Sequence, residues 1–267
     1  MTVSRVLHLS DTHFGTEQTL VVEAVLELAD SMKPDVVVLS GDITQRARRG
    51  QFAAARAFIS KLSRPTLVIP GNHDIPLFNV AARILDPYGG YRRAIGMDLE
   101  PVFSNDGVLA IGVNTTRPSR HKNGEISREQ VDRVCAQLRQ AQPHQLRIVV
   151  VHQPVRAVVA SDTRNLLIGR EAAVPAWVDA GVDIVLGGHI HLPYVAPLPA
   201  HSTRRAWAVQ AGTAVSHRVR GAIPNSVNLI EHRFEDGQVS CRVQRWDYDR
   251  SGRAFVAVNS TSLELSR

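Results

Sequence analysis

The sequence predicts an α/β protein, because apolar runs of strand length alternate with segments of helical periodicity. Residues 3–10, 36–40 and 66–69 are rich in β-branched and aliphatic side chains, as buried strands are. Between them, residues 17–33 and 51–62 carry apolar side chains on one helical face, and Pro34 ends the first of these helices. This order predicts three parallel strands joined by right-handed crossovers.

The second half of the chain continues the alternation and then changes character. Further strands are predicted at 108–113, 146–151 and 184–186, and further helices at 127–141 and 170–180. Ser127 and Gln130 have the spacing of a capping box, and Gly181 is a typical helix end. The segments that alternate as antiparallel strands are 193–195, 205–211, 226–233 and 239–247, with a hairpin turn at 235–237. Beyond residue 249 we expect a peripheral strand or a dimer contact.

Two connections are candidates for substrate lids. Residues 75–103 have a weak pattern, with a short helix predicted at 75–85 and a turn-rich stretch after it. The polar loop at 117–126 follows another predicted strand. Long loops beyond strand ends often carry specificity, although solvated connectors would look the same.

Five predicted strands end at side chains that bind metals. The carboxyl ends of neighbouring strands in an α/β sheet gather loops from many strands, so sites form there. Oxygen and imidazole donors without a thiolate suit manganese, iron, zinc or cobalt. Seven donors exceed the needs of one ion and suffice for two if one carboxylate is shared. They are Asp11, His13, Asp42, Asn72, His152, His189 and His191.

The blocks that carry these donors resemble those of the calcineurin-like metallophosphoesterase superfamily. In chain order they read Asp-x-His, Gly-Asp, Gly-Asn-His-Asp, an isolated His after a strand, and Gly-Gly-His-x-His. The resemblance covers residues 6–195 and is closest to bacterial class III cyclic-nucleotide and glycerophosphodiester phosphodiesterases. It implies an α/β/β/α sandwich, in which two mixed sheets pack together with helices on the outside.

The resemblance also implies a role for each donor. The first metal ion would be held by Asp11, His13, Asp42 and His191, and the second by Asp42, Asn72, His152 and His189. Asp42 would therefore bridge the ions. His73 would lie near the leaving group, and Asp74 would orient His73 or its loop. The implied cofactors are two divalent or trivalent ions, either Mn²⁺, Fe²⁺/Fe³⁺ or Zn²⁺.

The implied reaction is attack on phosphorus by a hydroxide shared between the ions. Two divalent ions against two carboxylates leave an excess of two positive charges, which suits an anionic phosphate. A small phosphodiester is the expected substrate, with 3′,5′-cyclic nucleotides ahead of glycerophosphodiesters. Arg46, Asn114 and Arg117 are candidate substrate-binding residues because they lie just beyond strand ends, although related enzymes often have Asp where Asn114 stands.

Composition agrees with one globular domain spanning residues 1–267. The chain is 44% hydrophobic and 21% charged, with a formal net charge of +6, which favours anionic partners. Cys135 and Cys241 lie far apart and suggest neither a disulfide framework nor a thiolate metal site. The sequence contains no apolar run of membrane-spanning length and no signal peptide pattern, so we expect no membrane contact and a cytoplasmic location.

Three alternatives stay open at this point. The positive charge and the arginine clusters also suit a nuclease or DNA-end-processing enzyme, although aromatic residues for stacking on bases are only 5% of the chain. A lipid-linked substrate lacks a supporting amphipathic basic helix. A non-catalytic scaffold would be expected to have lost His73 or metal ligands, and none is missing. A homodimer is possible in any of these cases.

Overall fold

The strands form two six-stranded sheets in a computed structural model that describes residues 2–199, 204–235 and 237–266. Strands are numbered in chain order. In spatial order, the first sheet contains β12 (Ala254–Leu263), β11 (Gln238–Asp249), β10 (Ser226–Glu235), β1 (Thr2–Leu9), β2 (Val36–Leu39) and β3 (Thr66–Val68). The second contains β4 (Val102–Ser104), β5 (Val108–Gly112), β6 (Leu146–Val150), β7 (Ile184–Gly187), β9 (Trp207–Gln210) and β8 (Tyr194–Pro197).

Both sheets are mixed, as the predicted fold class requires. β1, β2 and β3 are parallel, and β10, β11 and β12 extend the first sheet in antiparallel fashion. β5, β6, β7 and β9 are parallel, and the edge strands β4 and β8 are antiparallel to their neighbours. The strand at 205–211 was expected to be antiparallel. It is antiparallel only to β8. Because β8 folds back at the sheet edge, β9 lies beside β7 and is parallel to it.

The described residues include six α-helices. They are α1 (Thr19–Met32), α2 (Arg49–Lys61), α3 (Val80–Leu85), α4 (Gly89–Ala94), α5 (Arg128–Arg139) and α6 (Arg170–Ala180). Of these, α1, α2 and α4 contribute to the apolar cluster outside the first sheet, and α5 and α6 to that outside the second. Short 3₁₀ turns lie at Asn72–Asp74 and Ala160–Asn165. No helix in the described part of the chain is long and apolar enough to cross a bilayer.

Alternation along the strands builds three apolar layers. Successive strand side chains point to opposite faces, so in β2 Val36 and Val38 pack between the sheets while Val37 and Leu39 pack against α1 and α2. On the second sheet, Trp177 of α6 joins the outer cluster with strand side chains of β6 and β7. The α/β/β/α sandwich is therefore confirmed.

The 75–103 connection differs from its prediction. The helix expected over 75–85 begins only at Val80, where the side chain of Asn79 accepts a hydrogen bond from the Ala82 N–H at 3.0 Å. Asn79 is a typical N-cap residue, and its capping hydrogen bond sets the start of the helix at Val80. The turn-rich stretch that follows contains the short helix α4.

Two other expectations are met in detail. The hydroxyl of Ser127 accepts from the Gln130 N–H at 3.3 Å, and the Gln130 side chain accepts from the Ser127 N–H at 3.0 Å. The peripheral strand expected after residue 249 is β12 at the edge of the first sheet. Of the hairpin turn at 235–237, Asp236 lies outside the described residues.

A fully buried histidine lies between the sheets, close to the end of β1. His8 Nε2 lies 2.9 Å from the Ser40 hydroxyl, and the Asn228 amide donates to His8 Nδ1 at 3.4 Å. Nδ1 therefore accepts and Nε2 carries the hydrogen, which is the neutral form of the ring. Burial lowers the pKa of His8 to about 3, against a smaller opposing effect of Asp11.

This burial predicts a specific acid sensitivity. Unfolded His8 takes up a proton near its ordinary pKa of 6.5, whereas folded His8 does not, so its contribution to stability is lost as the pH falls below that value. At pH 5 the loss is roughly 2 kcal/mol. In urea unfolding of chelator-treated protein at pH 7.5 and pH 5, His8→Gln should lose less stability than wild type by about that amount. Equal losses in the two proteins would contradict a neutral buried His8.

Candidate metal centre

The turns after five strands bring the seven predicted donors together. Imidazole and carboxylate atoms form two groups, each with its donor atoms within 4.8 Å of one another. The first group is Asp11, His13 and His191, and the second is Asp42, His152 and His189. Each group combines residues from both sheets, so the site lies at the seam where the two sheets meet.

The donors project from sharply turned backbone. Asp11, His13, Asp42, His189 and His191 all have left-handed φ angles, between 44° and 72°. This conformation is uncommon outside glycine, and among other residues Asn, Asp and His adopt it most readily. Such turns reverse the chain directly after a strand and aim the side chain back over the sheet edge. Clusters of strained backbone of this kind occur at functional sites.

Two glycines allow the turns to pack this closely. A Cβ on Gly71 would overlap the backbone nitrogen and the carboxylate of Asp42, and a Cβ on Gly188 would overlap the Ser10 hydroxyl and the Asp11 carboxylate. A larger residue at either position would push donors apart. The glycines in Gly-Asn-His-Asp and Gly-Gly-His-x-His therefore serve the close approach of neighbouring loops.

Asp42 lies between the two groups and faces both. Its Oδ1 lies 3.3 Å from His152 Nε2, and its Oδ2 lies 3.8 Å from His13 Nε2. His73 Nε2 is 4.0 Å from the same Oδ2. A carboxylate with one oxygen toward each donor group has the orientation that a bridging ligand needs.

Backbone carbonyls fix the orientation of three imidazole rings. Nδ1 lies 2.8 Å from the Ser40 carbonyl in His152, 2.5 Å from the Arg218 carbonyl in His191 and 2.8 Å from the Gln45 carbonyl in His73. A carbonyl only accepts, so Nδ1 carries the hydrogen in each ring, and Nε2 is turned toward the site. Hydrogen bonds of this type orient metal-binding histidines in proteins.

The two buried carboxylates of the site are ionised. Burial opposes ionisation of Asp42, but the imidazoles of His152 and His73 outweigh it and hold its pKa well below the usual range. The same balance, with His191 as the main partner, holds the pKa of Asp11 low. Burial lowers the pKa of His189 to about 3, so this ring is neutral and able to bind a metal. The Asp42 charge raises the pKa of His152 to about 9 against the effect of its burial, so the two carboxylates make this site a favourable environment for positive charge.

Donor atoms without partners show that the site fits metal ions. Asn72 Oδ1 and His189 Nε2 are buried and form no hydrogen bond with any described residue. The Asn72 amide nitrogen donates to the His121 carbonyl at 3.3 Å, and Asn72 lines the same cavity as Asp42 and His189. Leaving such atoms unpaired is costly, and coordination of a cation would satisfy both.

Asp74 connects two loops and does not touch the ring of His73. Its carboxylate accepts from the N–H groups of Ile43, Thr44 and Gly71 at 3.0, 2.7 and 2.9 Å, and from the Thr44 hydroxyl at 2.8 Å. Burial and, secondarily, the Asp42 charge raise its pKa to about 6. Of its two predicted roles, this geometry corresponds to ordering the loop that carries His73.

The three predicted substrate-binding residues have different positions. Arg46 lies beside His73 at the rim of the site. The Arg117 guanidinium donates to the carbonyls of Asn114 and Thr116 and to the Gln130 side chain, and Asn114 Oδ1 accepts from Thr116. Neither Asn114 nor Arg117 lines the cavity over the metal centre. The polar groups of these two residues organise the start of the 117–126 loop, and their binding of substrate stays a prediction.

The basic residues of the cavity wall were not among the predicted site residues. A cavity of about 620 Å³ opens over Asp42 and His73 and is lined by Lys122 and Arg218 among others. The Gln153 amide donates to the Lys122 carbonyl at 3.2 Å, which fastens the 117–126 loop next to His152. The run from His217 to Arg220, in the loop after a predicted strand, was the signal that could have identified Arg218. No pattern in the sequence indicated that the Arg218 carbonyl would orient the ring of His191.

Comparison with known proteins agrees with this geometry. The sequence pattern described as calcineurin-like phosphoesterase matches residues 4–193. The chain belongs to the calcineurin-like phosphoesterase family. Its matched region contains all seven donors and His73.

Relatives in this family are named as phosphodiesterases. The chain is 28% identical over 165 residues to a probable cyclic nucleotide phosphodiesterase from Synechococcus, covering 61% of this chain and 60% of that protein. It is 25% identical over 199 residues to a probable glycerophosphodiester phosphodiesterase from Arcobacter nitrofigilis, covering 70% of this chain and 71% of the relative. The match thus spans less than two thirds of the Synechococcus protein.

The fold is also that of solved family structures. A purple acid phosphatase from yellow lupin superposes with a TM-score of 0.71, covering 98% of this chain and 53% of the other, at 12% identity. At that identity the likeness establishes the shared fold alone.

The division of the donors into two groups predicts a pattern of metal loss. Wild type dialysed against manganese should retain two ions per chain, and Asp42→Ala should retain close to none because both groups lose a ligand. His189→Ala and His191→Ala should each lose one ion, since loss of a ligand weakens binding by at least about 10- to 100-fold. Elemental analysis gives the stoichiometry, with Asp132→Ala on the surface of α5 as control. Full occupancy in Asp42→Ala would exclude a bridging role.

Proposed function

We propose that this family member is a two-metal phosphodiesterase that hydrolyses small diesters, with 3′,5′-cyclic nucleotides as the leading substrates and glycerophosphodiesters second. The observation that carries the proposal is the position of Asp42, with one carboxylate oxygen toward each donor group and His73 beside it under one open cavity. The names of the relatives support the choice of a diester.

The proposed ligands follow the two donor groups. Asp11, His13 and His191 would hold one ion, His152, His189 and Asn72 would hold the other, and Asp42 would be shared. Ions held there would supply a water nucleophile at neutral pH and Lewis-acid stabilisation of the phosphoryl oxygens. Oxygen and nitrogen donors accept several first-row metals, with manganese, iron and zinc as the candidates.

His73 is the proposed general acid. Its Nδ1–H is held by the Gln45 carbonyl, and its Nε2 faces the cavity. A proton on Nε2 could therefore pass to the oxygen of the departing alcohol. The backbone N–H of His73 donates to Asp42 Oδ1 at 2.8 Å, which ties the position of the acid to that of the bridging carboxylate.

Parallel hydrolysis assays with manganese-loaded protein test the proposal. The substrates are bis-nitrophenyl phosphate, nitrophenyl phosphate, cyclic AMP, glycerophosphocholine and single-stranded DNA. We expect the diester to be preferred over the monoester, with turnover of cyclic AMP or glycerophosphocholine. Cleavage of DNA alone would overturn the choice of small diesters and favour a nuclease.

The role of His73 predicts a dependence on the leaving group. An alkoxide needs protonation as it leaves, whereas nitrophenolate does not, so His73→Ala should reduce kcat for glycerophosphocholine by about 10²- to 10³-fold. For bis-nitrophenyl phosphate the reduction should be less than about tenfold. His144→Ala, which removes a histidine from the contact with Phe234, is the control. Equal reductions with both substrates would contradict the acid role.

A further inference from the structure

The metal cavity continues into a second, arginine-lined pocket. A bridging cavity of about 100 Å³ shares Asn72, His73 and His121 with the main cavity. It shares Arg46 and Leu77 with a pocket of about 440 Å³ beyond it. The three cavities therefore adjoin one another in a series that begins at the metal centre and passes His73. We refer to the series as the groove and to its outer part as the arginine pocket.

The arginine pocket has positive charges that the protein does not neutralise. Arg46, Arg48 and Arg49 all line it, and no ion pair joins any of them to a described carboxylate. The two acids in its wall are already engaged. Asp86 lies within ion-pair distance of Arg92 and Arg93, and Asp74 accepts hydrogen bonds from its neighbouring loops. Arg48 and Arg49 are exposed and Arg46 is half-buried, so their guanidinium groups are accessible to an anion from solvent.

The loop that carries these arginines is held in a fixed shape. The Gln51 side-chain oxygen accepts from the N–H groups of Arg46 and Arg48 at 2.8 and 3.3 Å, and the Thr44 hydroxyl accepts from the Ala47 N–H at 3.0 Å. Ala47 has a φ of 52°, a strained conformation that these contacts maintain. The backbone of the pocket is therefore preorganised.

An exposed aromatic ring forms one side of the pocket. Phe78 is 76% exposed, and the Arg46 guanidinium carbon lies 5.4 Å from the centre of its ring. A ring in this position offers a flat apolar surface next to the cationic groups. The combination of unpaired arginines and an open aromatic face is typical of sites for nucleotides and phosphorylated sugars.

We propose that the arginine pocket binds a second phosphate group carried by the leaving alcohol of the substrate. The inference rests on the proposed phosphodiesterase function and adds a preference, among small diesters, for those whose leaving alcohol carries this extra phosphate. The direction of the groove supports this assignment. His73 is the proposed proton donor to the leaving oxygen, and the groove runs from His73 to the arginines, so the leaving alcohol extends into it.

The reaction then breaks one particular bond. A water oxygen bonds to phosphorus, the bond from phosphorus to the phosphate-bearing alcohol breaks, and the departing oxygen receives a proton from His73. For a 5′-phosphorylated thymidine dinucleotide, pTpT, this gives only thymidine 5′-phosphate, because the departing 3′-oxygen belongs to the phosphorylated nucleoside. Cleavage of the other P–O bond would give thymidine and thymidine 3′,5′-bisphosphate.

The experiment compares pTpT with TpT, which differs only in the terminal phosphate. We expect kcat/KM for pTpT to be higher by at least about tenfold, as for a phosphate in contact with arginine. We also expect thymidine 5′-phosphate as the only product from pTpT. Arg46→Gln and Arg49→Gln should each lower the pTpT to TpT ratio, and the double variant should bring it close to one. Arg139→Gln, the same change at the end of α5, should leave the ratio as in wild type.

Several outcomes would overturn the inference while leaving the proposed function intact. These are hydrolysis of bis-nitrophenyl phosphate with equal rates on pTpT and TpT, release of thymidine from pTpT, or a ratio unchanged in the double variant. A phosphorylated ten-nucleotide strand is assayed in parallel. A kcat/KM more than about tenfold above that of pTpT would replace the single-phosphate pocket by an extended nucleic-acid track.

Binding gives a readout that is independent of turnover. Phosphorothioate-linked pTpT and TpT, which resist hydrolysis, are titrated calorimetrically into metal-loaded wild type and the double variant. Tighter binding of the pTpT analogue by wild type alone would support the pocket even if no diester were hydrolysed. Equal affinities in wild type would overturn it.

Discussion

The buried carboxylates at the seam between the sheets are the constraint on which the rest of this structure depends. Asp11 and Asp42 are buried near each other as anions, which no apolar core would tolerate without compensation. Most of the imidazoles that compensate these charges come from the opposite sheet. The first sheet supplies the carboxylates and the second supplies His152, His189 and His191. The site therefore depends on the packing of the two sheets, because neither sheet alone contains a complete donor group.

The shape of the backbone serves the same constraint. Left-handed turns at five donors and the close approach at Gly71 and Gly188 concentrate strain at the strand ends. The strands beneath stabilise these turns, because the strand side chains are buried on both faces of the sheet. A loosely packed scaffold would relax these turns and separate the donors. Rigid strands below and strained turns above explain why the donors follow the strands directly instead of lying within long loops.

Much of this architecture could be predicted because its signals are local. Runs of β-branched residues, the capping box at Ser127 and the polar blocks after each strand are all properties of short segments. The sandwich itself came from the resemblance of those blocks to a family. What could not be predicted depends on contacts between distant segments. β9 is parallel to β7 because β8 folds back, Arg117 turns toward Gln130, and the carbonyls of Ser40, Gln45 and Arg218 orient imidazole rings. The start of α3 at Val80 was, in contrast, indicated by Asn79, a typical N-cap residue, and was not predicted.

The separation of the donors along the chain has a consequence for how the protein matures. The donor groups join residues near the N-terminus to residues about 180 positions later, through hydrogen bonds such as that from the His189 N–H to Asp11. Contacts of such sequence separation form late in folding. A nascent chain that has emerged only as far as Asp74 would hold both carboxylates, His13 and Asn72 but none of the three imidazoles of the second sheet. We therefore expect both donor groups to be complete only after the two sheets have packed together.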